Sequence, residues 1–379
     1  MVFPVTRILM VCRHFPPAIS GGAGRPYLLA KAWRDAGAEV VVLAPQPCDG
    51  IAVIPVGHPQ VEPSTAEPVS GPSWRDRLRA GLLLPDPDIR WALHAARATI
   101  GLAPDWVFTT SPPESAHVAG WLLKRRFRCR WMADFRDHWL RHPLLPARSQ
   151  SGLRRSMERG LARRLLRGVD LAMAVTDSIG DELRRDLGVM APTLVVENFA
   201  AEATEAMALP KDSVHLVHTG SFSLSDPQRR IEPLLEAFEA ADNRRLTLHL
   251  VGRLRDDERR RVELSPAKDR IVVAGPLPVE TTRRYQRAAD VLLLVTSPDT
   301  PHVPGKLAEY RAAGRPVLVA GGGPWLGEAG LDAGPDLRRA FAAMPEVMPV
   351  APGIRLTPAE AVARIGSAML SSEGGLGGE

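Results

Sequence analysis

The sequence has few cysteines and no long apolar run. Three of its 379 residues are cysteine, and Cys12, Cys48 and Cys129 are spaced neither as a disulfide framework nor as a zinc site. No stretch approaches the roughly 18–20 apolar residues that a membrane span needs. The N-terminus also lacks the basic-then-apolar pattern of a signal segment. We therefore expect reduced thiols and a cytoplasmic protein.

Nucleic-acid recognition patterns are missing as well. The basic residues gather at 122–131 and 151–168, without the interleaved aromatic residues typical of single-strand binders. No helix-turn-helix or zinc finger pattern is present. We therefore expect no nucleic-acid partner.

The formal net charge of +5 comes from the N-terminal half, and residues 151–168 contribute most visibly to it. This stretch reads as a helix with arginines among leucines, which could lie on an anionic membrane surface or meet a phosphate-bearing partner. The alternative is a solvated helix face whose arginine stems cover apolar neighbours.

Short β-branched runs alternate with helical stretches along the chain, as repeated βαβ units require. A length of 379 residues fits two domains. We predict strands at 7–12, 38–45, 105–110, 129–135, 169–176 and 193–198, then at 214–220, 245–252, 270–275, 291–297 and 316–321.

The expected architecture is α/β, with two doubly wound Rossmann-like domains facing a cleft. The first domain is predicted over residues 1–199, a linker over 200–212 and the second domain over 213–355. A helix at 356–370 could cross back to the first domain, before a disordered tail at 371–379. Ligands of such sheets bind beyond the C-terminal ends of the strands, so the loops there carry the candidate residues.

Two of those loops lie in the first domain. The loop after the first strand holds Gly21, Gly22 and Gly24 ahead of a helix with Pro26 in its first turn, an arrangement that lets an anion approach the backbone closely. It does not match the dinucleotide fingerprint, and a purely structural role is the alternative. After the fourth strand comes DFRDHW (134–139), which is either functional or a surface ion-pair patch.

Two further loops lie in the second domain. Gly220 ends a strand, and Arg229 and Arg230 follow at a helix start, where arginines could hold a diphosphate. The alternative is a basic turn facing solvent. Lys306 and Glu309 lie one turn apart on a helix that follows a buried strand. They could form an ion pair worth about 0.3–0.5 kcal/mol, but a lysine at a helix N-terminus opposes the macrodipole unless an anion binds there.

These stretches resemble a known family. HFPPAISGGAG, PDWVFTTSPPESAHVAG, ADFRDHW, HTGSF and PGKLAEYRAAGRPVLVA, in this order over roughly residues 7–325, are similar to the retaining GT-B glycosyltransferases of family four. The bacterial surface-polysaccharide members are the most similar. The resemblance implies transfer of a sugar, with retention, from a UDP- or GDP-type nucleotide sugar to a lipid-linked or saccharide acceptor. It implies no cofactor or metal, an acceptor bound mainly to the first domain, and possible peripheral attachment to the inner membrane face.

The resemblance also implies roles for individual residues. The donor-binding residues it implies are Gly22, Gly220, Ser221, Arg229, Arg253, Leu277, His302, Gly305, Lys306 and Glu309. Among these, Gly220, Arg229 and Lys306 would hold the diphosphate in place of a divalent cation, and Glu309 would bind the ribose hydroxyls. The turns that contain Arg253 and Leu277 would line the base pocket through backbone groups. The implied catalytic residues are Arg136, Asp137 and Lys306.

The sequence departs from the family pattern at three places. Pro301 stands where a first glutamate is common, so His302 or backbone groups would have to contact the sugar. Arg136 replaces a common histidine, and we expect it to shape the acceptor site with Asp137. Ser221 replaces an arginine, with Arg229 standing for the usual lysine after an insertion. A sugar-nucleotide epimerase, a phosphorylase or a catalytically silent nucleotide-sugar-binding partner therefore remain alternatives.

Overall fold

The computed structural model describes residues 6–18, 22–57, 83–140, 152–201, 205–224, 226–298, 300, 303–323, 325–328, 331, 336–347 and 356–374. The chain forms two compact units. The first unit comprises residues 1–198 and 358–379, and the second comprises residues 199–357. In the described part of the chain, no helix is both long and apolar enough to cross a membrane.

The first unit contains a seven-stranded parallel sheet in the order β3-β2-β1-β4-β5-β6-β7. Its strands are β1 (Arg7–Val11), β2 (Glu39–Ala44), β3 (Ala52–Pro55), β4 (Trp106–Ser111), β5 (Arg130–Phe135), β6 (Leu171–Ala174) and β7 (Thr193–Val195). Six of them match predicted strands. The strand order reverses between β1 and β4, so this unit has its topological switch point where those two strands end.

Strand β3 is the one that the sequence pattern missed. It has four residues, it lies at the sheet edge beside β2, and none of its residues is fully buried. A proline can end such a strand because an edge strand need not donate every hydrogen bond. Short length, partial exposure and Pro55 together removed the apolar period that identified the other strands.

The helices of the first unit cover both faces of this sheet. They are α1 (Gly24–Asp35), α2 (Ile89–Arg97), α3 (Ser115–Phe127), α4 (Gly152–Leu166), α5 (Asp177–Asp181) with its π-helical continuation Glu182–Asp186, and α12 (Pro358–Gly374). Thr176 caps α5, its hydroxyl accepting the Ile179 N–H at 3.3 Å. Helix α12 packs against α1 and extends to Gly374, beyond residue 370 where we expected the helix to end. Residues 375–379 lie outside the described part.

The second unit contains a five-stranded parallel sheet in the order β10-β9-β8-β11-β12. Its strands are β8 (Val214–Thr219), β9 (Leu246–Val251), β10 (Ile271–Gly275), β11 (Val291–Val295) and β12 (Val317–Ala320), and its helices are α6 (Glu232–Ala241), α7 (Asp256–Glu263), α8 (Val279–Ala288), α9 (Lys306–Ala313), α10 (Trp325–Glu328) and α11 (Leu337–Ala343). All five strands match predicted ones. The order reverses between β8 and β11.

The central strands are apolar on both sides because helices cover both faces of the sheet. Every residue of β11 is buried, with Leu293 packed in one core cluster and Leu292 in another. Burial of such a side chain stabilises the fold by roughly 1.5–3 kcal/mol. The rigid sheet therefore fixes the points at which the loops after β8 and β11 begin.

Candidate functional site

The switch point of the second unit brings together the loops that follow β8 and β11. Loops at such a point leave the sheet toward opposite faces, so a crevice opens between their first residues. Gly220 follows β8 directly, and the segment after β11 leads into α9, whose first residue is Lys306.

The side chain of Lys306 lies against the backbone of Gly220. A Cβ atom built on Gly220 would stand 2.4 Å from Lys306 Cε and 3.0 Å from Nζ, and Gly220 has φ +120°. The positive φ favours glycine at this position, and a Cβ there would displace the end of the Lys306 side chain. Among the described residues the Lys306 ammonium makes no hydrogen bond or ion pair, so a cation without a counterion sits over the end of β8.

Glu309 is connected to the same strand end through two other side chains. The buried Gln286 donates from Nε2 to Glu309 Oε2 at 3.1 Å and to Thr219 Oγ1 at 3.0 Å. The Thr219 N–H in turn donates to the Tyr310 hydroxyl at 3.0 Å. Lys306 and Glu309 form no ion pair with each other in the described structure. The helical ion pair that we considered as the alternative is therefore not formed.

The two arginines at the start of α6 differ in their surroundings. Arg230 is exposed and pairs with Glu232, Nη2 to Oε1, at 2.8 Å, as expected for a basic turn facing solvent. Arg229 is half-buried, and its Nε has no hydrogen-bond partner within the described ranges. Burial lowers the pKa of Arg229, although the Asp226 carboxylate opposes the shift. Arg229 is thus the more buried arginine of this loop, and its Nε is shielded from solvent without a partner among the described residues.

A buried histidine lies close to both cations. His218 Nδ1 donates to the carbonyl of Leu293 at 3.0 Å, which leaves Nε2 as an acceptor without a partner in the described part. Burial, with smaller contributions from the charges of Lys306 and Arg229, lowers the pKa of His218 to about 3, although the hydrogen bond to Leu293 opposes the shift. The imidazole is therefore neutral. The sequence offered only its place two residues before Gly220 as a signal.

The other predicted donor-binding residues of this unit lie along the same edge of the sheet or near it. Arg253 is exposed, while Ser221 and Leu277 are half-buried; the Leu277 carbonyl accepts from Thr282 Oγ1 at 3.3 Å. Gly305 is exposed and directly precedes α9. Pro301 and His302 lie outside the described residues. The structure thus gathers Gly220, Lys306 and Glu309 most closely.

In the first unit, Arg136 is bound to three backbone carbonyls. Its Nε donates to Ser111 at 2.9 Å, Nη1 to Gly22 at 2.7 Å and Nη2 to Pro112 at 2.9 Å. A Cβ on Gly22 would stand 2.7 Å from Nη1, so a larger residue there would displace the guanidinium group. Burial lowers the pKa of Arg136. Arg136 therefore holds the glycine-rich turn against the loop after β4, at the switch point of this unit.

A second arginine, which the sequence patterns did not single out, forms a buried ion pair nearby. Arg25 Nη2 lies 2.8 Å from Asp134 Oδ1, with side chains only 5% and 0% exposed. Arg25 also donates to the carbonyls of Val196 and Glu197 at 3.0 and 2.9 Å, and Thr110 Oγ1 donates to Asp134 at 2.9 Å. Asp134, the first residue of the DFRDHW stretch, is thus part of a buried hydrogen-bond network. It therefore does not belong to a surface ion-pair patch, the alternative that we considered.

Other polar residues after β5 are also engaged inside the unit. His138 Nδ1 pairs with Glu182, and Ser178 Oγ lies 3.4 Å from His138 Nε2. Asp137 is half-buried.

The pKa of Glu114 rises to about 8, mainly because Glu114 is buried and further because of the charges of Asp86 and Asp137. Among the described residues, no group of three or more His, Cys, Asp or Glu side chains could hold a metal ion.

The two basic stretches differ in whether their side chains contact the rest of the unit or solvent. In the stretch 122–131, Lys124 pairs with Asp170 at 2.6 Å and Arg126 donates to the carbonyl of Ala98 at 2.8 Å, so these charges serve internal contacts. The helix α4 instead exposes two large apolar side chains one turn apart, Leu153 at 75% and Met157 at 52%.

Comparison with known families matches both units. Residues 20–198 match the glycosyl transferase 4-like domain, and residues 213–344 match the glycosyl transferases group 1 domain. A search of curated proteins finds no match to the sequence.

Several solved structures share this fold. HepE from Anabaena, in complex with UDP and glucose, has a TM-score of 0.59 at 16% identity and covers 97% of this chain and 98% of its own. A protein from Listeria monocytogenes assigned as UDP-N-acetylglucosamine 2-epimerase has a TM-score of 0.58 at 14% identity, covering 98% and 97%. AviGT4, a glycosyltransferase involved in avilamycin A biosynthesis, has a TM-score of 0.53 at 12% identity, covering 98% of each chain. At these identities the likeness establishes the fold alone.

Proposed function

The chain belongs to the family-4-like glycosyltransferases of the GT-B fold, and on that premise we propose that it transfers a sugar from a UDP- or GDP-type nucleotide sugar, with retention and without a metal ion. The acceptor is lipid-linked or a saccharide, and the product serves cell-surface polysaccharide or glycoconjugate synthesis. HepE, a structural neighbour, was solved with UDP and glucose, which supports a nucleotide-sugar donor.

The observation that carries the proposal is the cation of Lys306 over Gly220, at the switch point of the second unit. A lysine at a helix N-terminus is unfavourable next to the positive end of the helix dipole. A bound diphosphate reverses that balance because its charge interacts favourably with both. Arg229, with its unpartnered Nε, adds a second cation for the same diphosphate. Glu309 then binds the ribose hydroxyls.

The proposed reaction breaks the bond between the anomeric carbon of the sugar and the β-phosphate oxygen. The acceptor oxygen forms a bond to that carbon on the same face, and its proton passes to the departing phosphate oxygen. Negative charge develops on the diphosphate as the bond breaks, so fixed cations accelerate the reaction by stabilising the transition state. Lys306 is the side chain best placed for this role.

The first unit is proposed to bind the acceptor. Asp137 is proposed to shape the acceptor site. The three carbonyl contacts of Arg136 favour a positioning role for that residue, in which it keeps the glycine-rich turn and the loop after β4 in fixed places.

An epimerase acting on a nucleotide sugar is the second candidate, because one neighbour is assigned as a UDP-N-acetylglucosamine 2-epimerase. The two family matches, both to glycosyltransferase domains, favour transfer. The reactions differ in their need for an acceptor. Conversion of UDP-N-acetylglucosamine to its 2-epimer without an acceptor, followed by NMR, would support the epimerase and contradict the transferase.

The transferase is tested by a thermal-shift screen of UDP, GDP, ADP and their sugars, since a ligand that binds only the folded state raises the melting temperature. The donor found in this way is then incubated with candidate acceptors, and NMR determines the anomeric configuration of the product. Retention and full activity in EDTA support the proposal. Inversion, or an absolute requirement for Mg²⁺, would contradict the corresponding part of it.

Peripheral membrane attachment is proposed for α4, which combines the exposed Leu153 and Met157 with arginines on the same helix. Basic amphipathic helices bind anionic lipid through the burial of their apolar side chains and the attraction of their basic ones. Flotation with vesicles of phosphatidylglycerol and phosphatidylcholine should recover the unaltered protein, and Leu153→Ser with Met157→Ser should reduce recovery. Equal recovery from vesicles of phosphatidylcholine alone would contradict the electrostatic part.

A further inference from the structure

Gln286 is a buried amide that contacts the carboxylate of Glu309. It lies on α8 and its side chain is 1% exposed, and no sequence pattern pointed to it. We propose that Gln286 is a positioning residue that orients Glu309 toward the ribose of the bound nucleotide. The inference rests on the proposed function, since it requires Glu309 to bind ribose hydroxyls.

The hydrogen bonds of Gln286 determine how its amide is turned. A glutamine nitrogen carries two N–H donors, and both are used, one on Thr219 Oγ1 at 3.0 Å and one on Glu309 Oε2 at 3.1 Å. A flipped amide would place its oxygen against the carboxylate oxygen and lose the bond to Glu309. The carboxylate of Glu309 therefore selects one orientation of Gln286, and Gln286 in turn fixes one oxygen of the carboxylate.

The other end of this chain of bonds is anchored in the sheet. Thr219 is fully buried, and its N–H donates to the Tyr310 hydroxyl at 3.0 Å, which donates to the Leu293 carbonyl at 3.3 Å. Burial raises the pKa of Tyr310 to about 12, so the hydroxyl keeps its proton. These hydrogen bonds therefore fix the position of Glu309 relative to β8 and β11, the two strands that define the switch point.

The Glu309 carboxylate has one oxygen that Gln286 does not hold. Glu309 and Gln286 line a surface depression together with Arg283, Ala200 and Ala312. With Oε2 held by Gln286, Oε1 is left for a hydroxyl donor. A carboxylate that accepts from two ribose hydroxyls needs a fixed orientation, because the hydrogen bond weakens steeply as its angle departs from linear.

The test measures how well the protein distinguishes ribose from a sugar without hydroxyls. Calorimetric titration compares UDP with 2′,3′-dideoxy-UDP, or the guanosine pair if the unaltered protein binds GDP. Gln286→Met keeps the side-chain length and removes both donors. We expect UDP to bind about 5- to 10-fold more weakly to this variant, while binding of the dideoxy compound changes less than about 2-fold. Thr219→Val, which removes only the anchor, should give a smaller loss of the same kind.

Two further variants separate the inference from the proposed function. Glu309→Ala should abolish the preference for UDP, and adding Gln286→Met to it should have no further effect, because the two residues act as one unit. Gln46→Met, the same substitution at a half-buried glutamine of the first unit, should change neither affinity. Thermal melts confirm that each variant folds.

The outcomes are distinguishable. If Gln286→Met weakens both compounds equally, or neither, Gln286 does not orient Glu309 and the inference is wrong although Glu309 retains its role. If Glu309→Ala leaves the preference for UDP intact, or if the unaltered protein binds no nucleoside diphosphate, the proposed function itself fails.

Discussion

The two units place polar side chains at the same position of the same topology, yet they use them differently. In the first unit the guanidinium groups of Arg25 and Arg136 donate to a carboxylate and to backbone carbonyls of that unit. In the described part of the second unit, the Lys306 ammonium and the Arg229 Nε have no such partner. The first switch point is thus held together by its own cations, whereas the second keeps cations available.

This difference predicts which unit a ligand stabilises. A half-buried cation without a counterion is unfavourable by itself, because desolvation is not compensated. An anion that binds there supplies the missing interaction. The polar groups of the first unit should therefore determine stability, and those of the second unit should determine binding and rate.

The largest expected effect is on the stability of the first unit. Asp134→Ala removes the carboxylate that pairs with Arg25, a residue that is only 6% exposed. Breaking a buried pair in this way costs about 3–5 kcal/mol of unfolding free energy, which urea denaturation measures. Asp181→Ala removes an exposed partner of Arg184 and should cost under about 1 kcal/mol. If the two substitutions lower the unfolding free energy equally, the buried ion pair stabilises the protein no more than the surface pair, which would contradict this prediction.

The next effect is on the rate and belongs to the second unit. Lys306→Ala should lower turnover of the donor about 10²- to 10³-fold and leave the urea midpoint unchanged or higher, since an unpaired cation is lost. Release of nucleoside diphosphate measures turnover. Lys268→Ala, at an exposed lysine of the same unit, is the control and should change neither quantity. A large loss of stability in Lys306→Ala would mean that Lys306 stabilises the fold, as the buried arginines of the first unit do, and would contradict its role in binding.

Arg136→Ala should lower both stability and activity. Its loss removes the guanidinium group that donates to the carbonyls of Gly22, Ser111 and Pro112, which costs about 1–3 kcal/mol and loosens the glycine-rich turn. Hydrogen exchange in peptides around Gly22 should increase. If stability and exchange stay unchanged while use of the acceptor is lost, Arg136 contacts the acceptor directly, as the sequence led us to expect, and the comparison between the units is weakened.

The smallest effect is a difference in acid sensitivity. Burial lowers the pKa of His218 to about 3 and that of His249 to about 4 in the second unit. A histidine with a depressed pKa binds its proton in the unfolded state first, so stability falls as the pH drops from about 6.5 toward the folded value. Between pH 7 and 5, His218 alone should remove about 2 kcal/mol.

The first unit contains compensating groups. Burial lowers the pKa of His117 to about 3, but the pKa of Glu114 is raised to about 8. Glu114 therefore contributes stability below about pH 4.5 that is lost as the pH rises through 8, so acidification from pH 7 to 5 strengthens this contribution. Hydrogen exchange at pH 5 should show the second unit opening first. Simultaneous opening, or earlier opening of the first unit, would contradict this assignment.

Apolar periodicity identified eleven of the twelve strands because buried parallel strands are continuous apolar runs. The sequence pattern also located Lys306, Glu309 and Gly220 near strand ends, since the rule for parallel sheets depends only on where strands stop. It could not show that Arg136 contacts carbonyls rather than a ligand, because those partners are 24, 25 and 114 residues away.

Gln286 and Arg25 were missed for a related reason. Each lies in a helix that contains other polar residues, so no motif marks it. Its partner is also distant in sequence, 67 residues for Thr219 and 109 for Asp134. Only the register of neighbouring strands and the packing of a helix on the sheet bring such pairs together.

The most direct test of the account is hydrogen exchange measured with and without UDP or GDP. We predict that the nucleotide slows exchange most in peptides covering Thr219 to Arg229 and Lys306 to Ala313, at the switch point of the second unit. Protection confined to the first unit, or no protection with any nucleoside diphosphate at millimolar concentration, would contradict the central claim that the free cations of the second unit bind the donor.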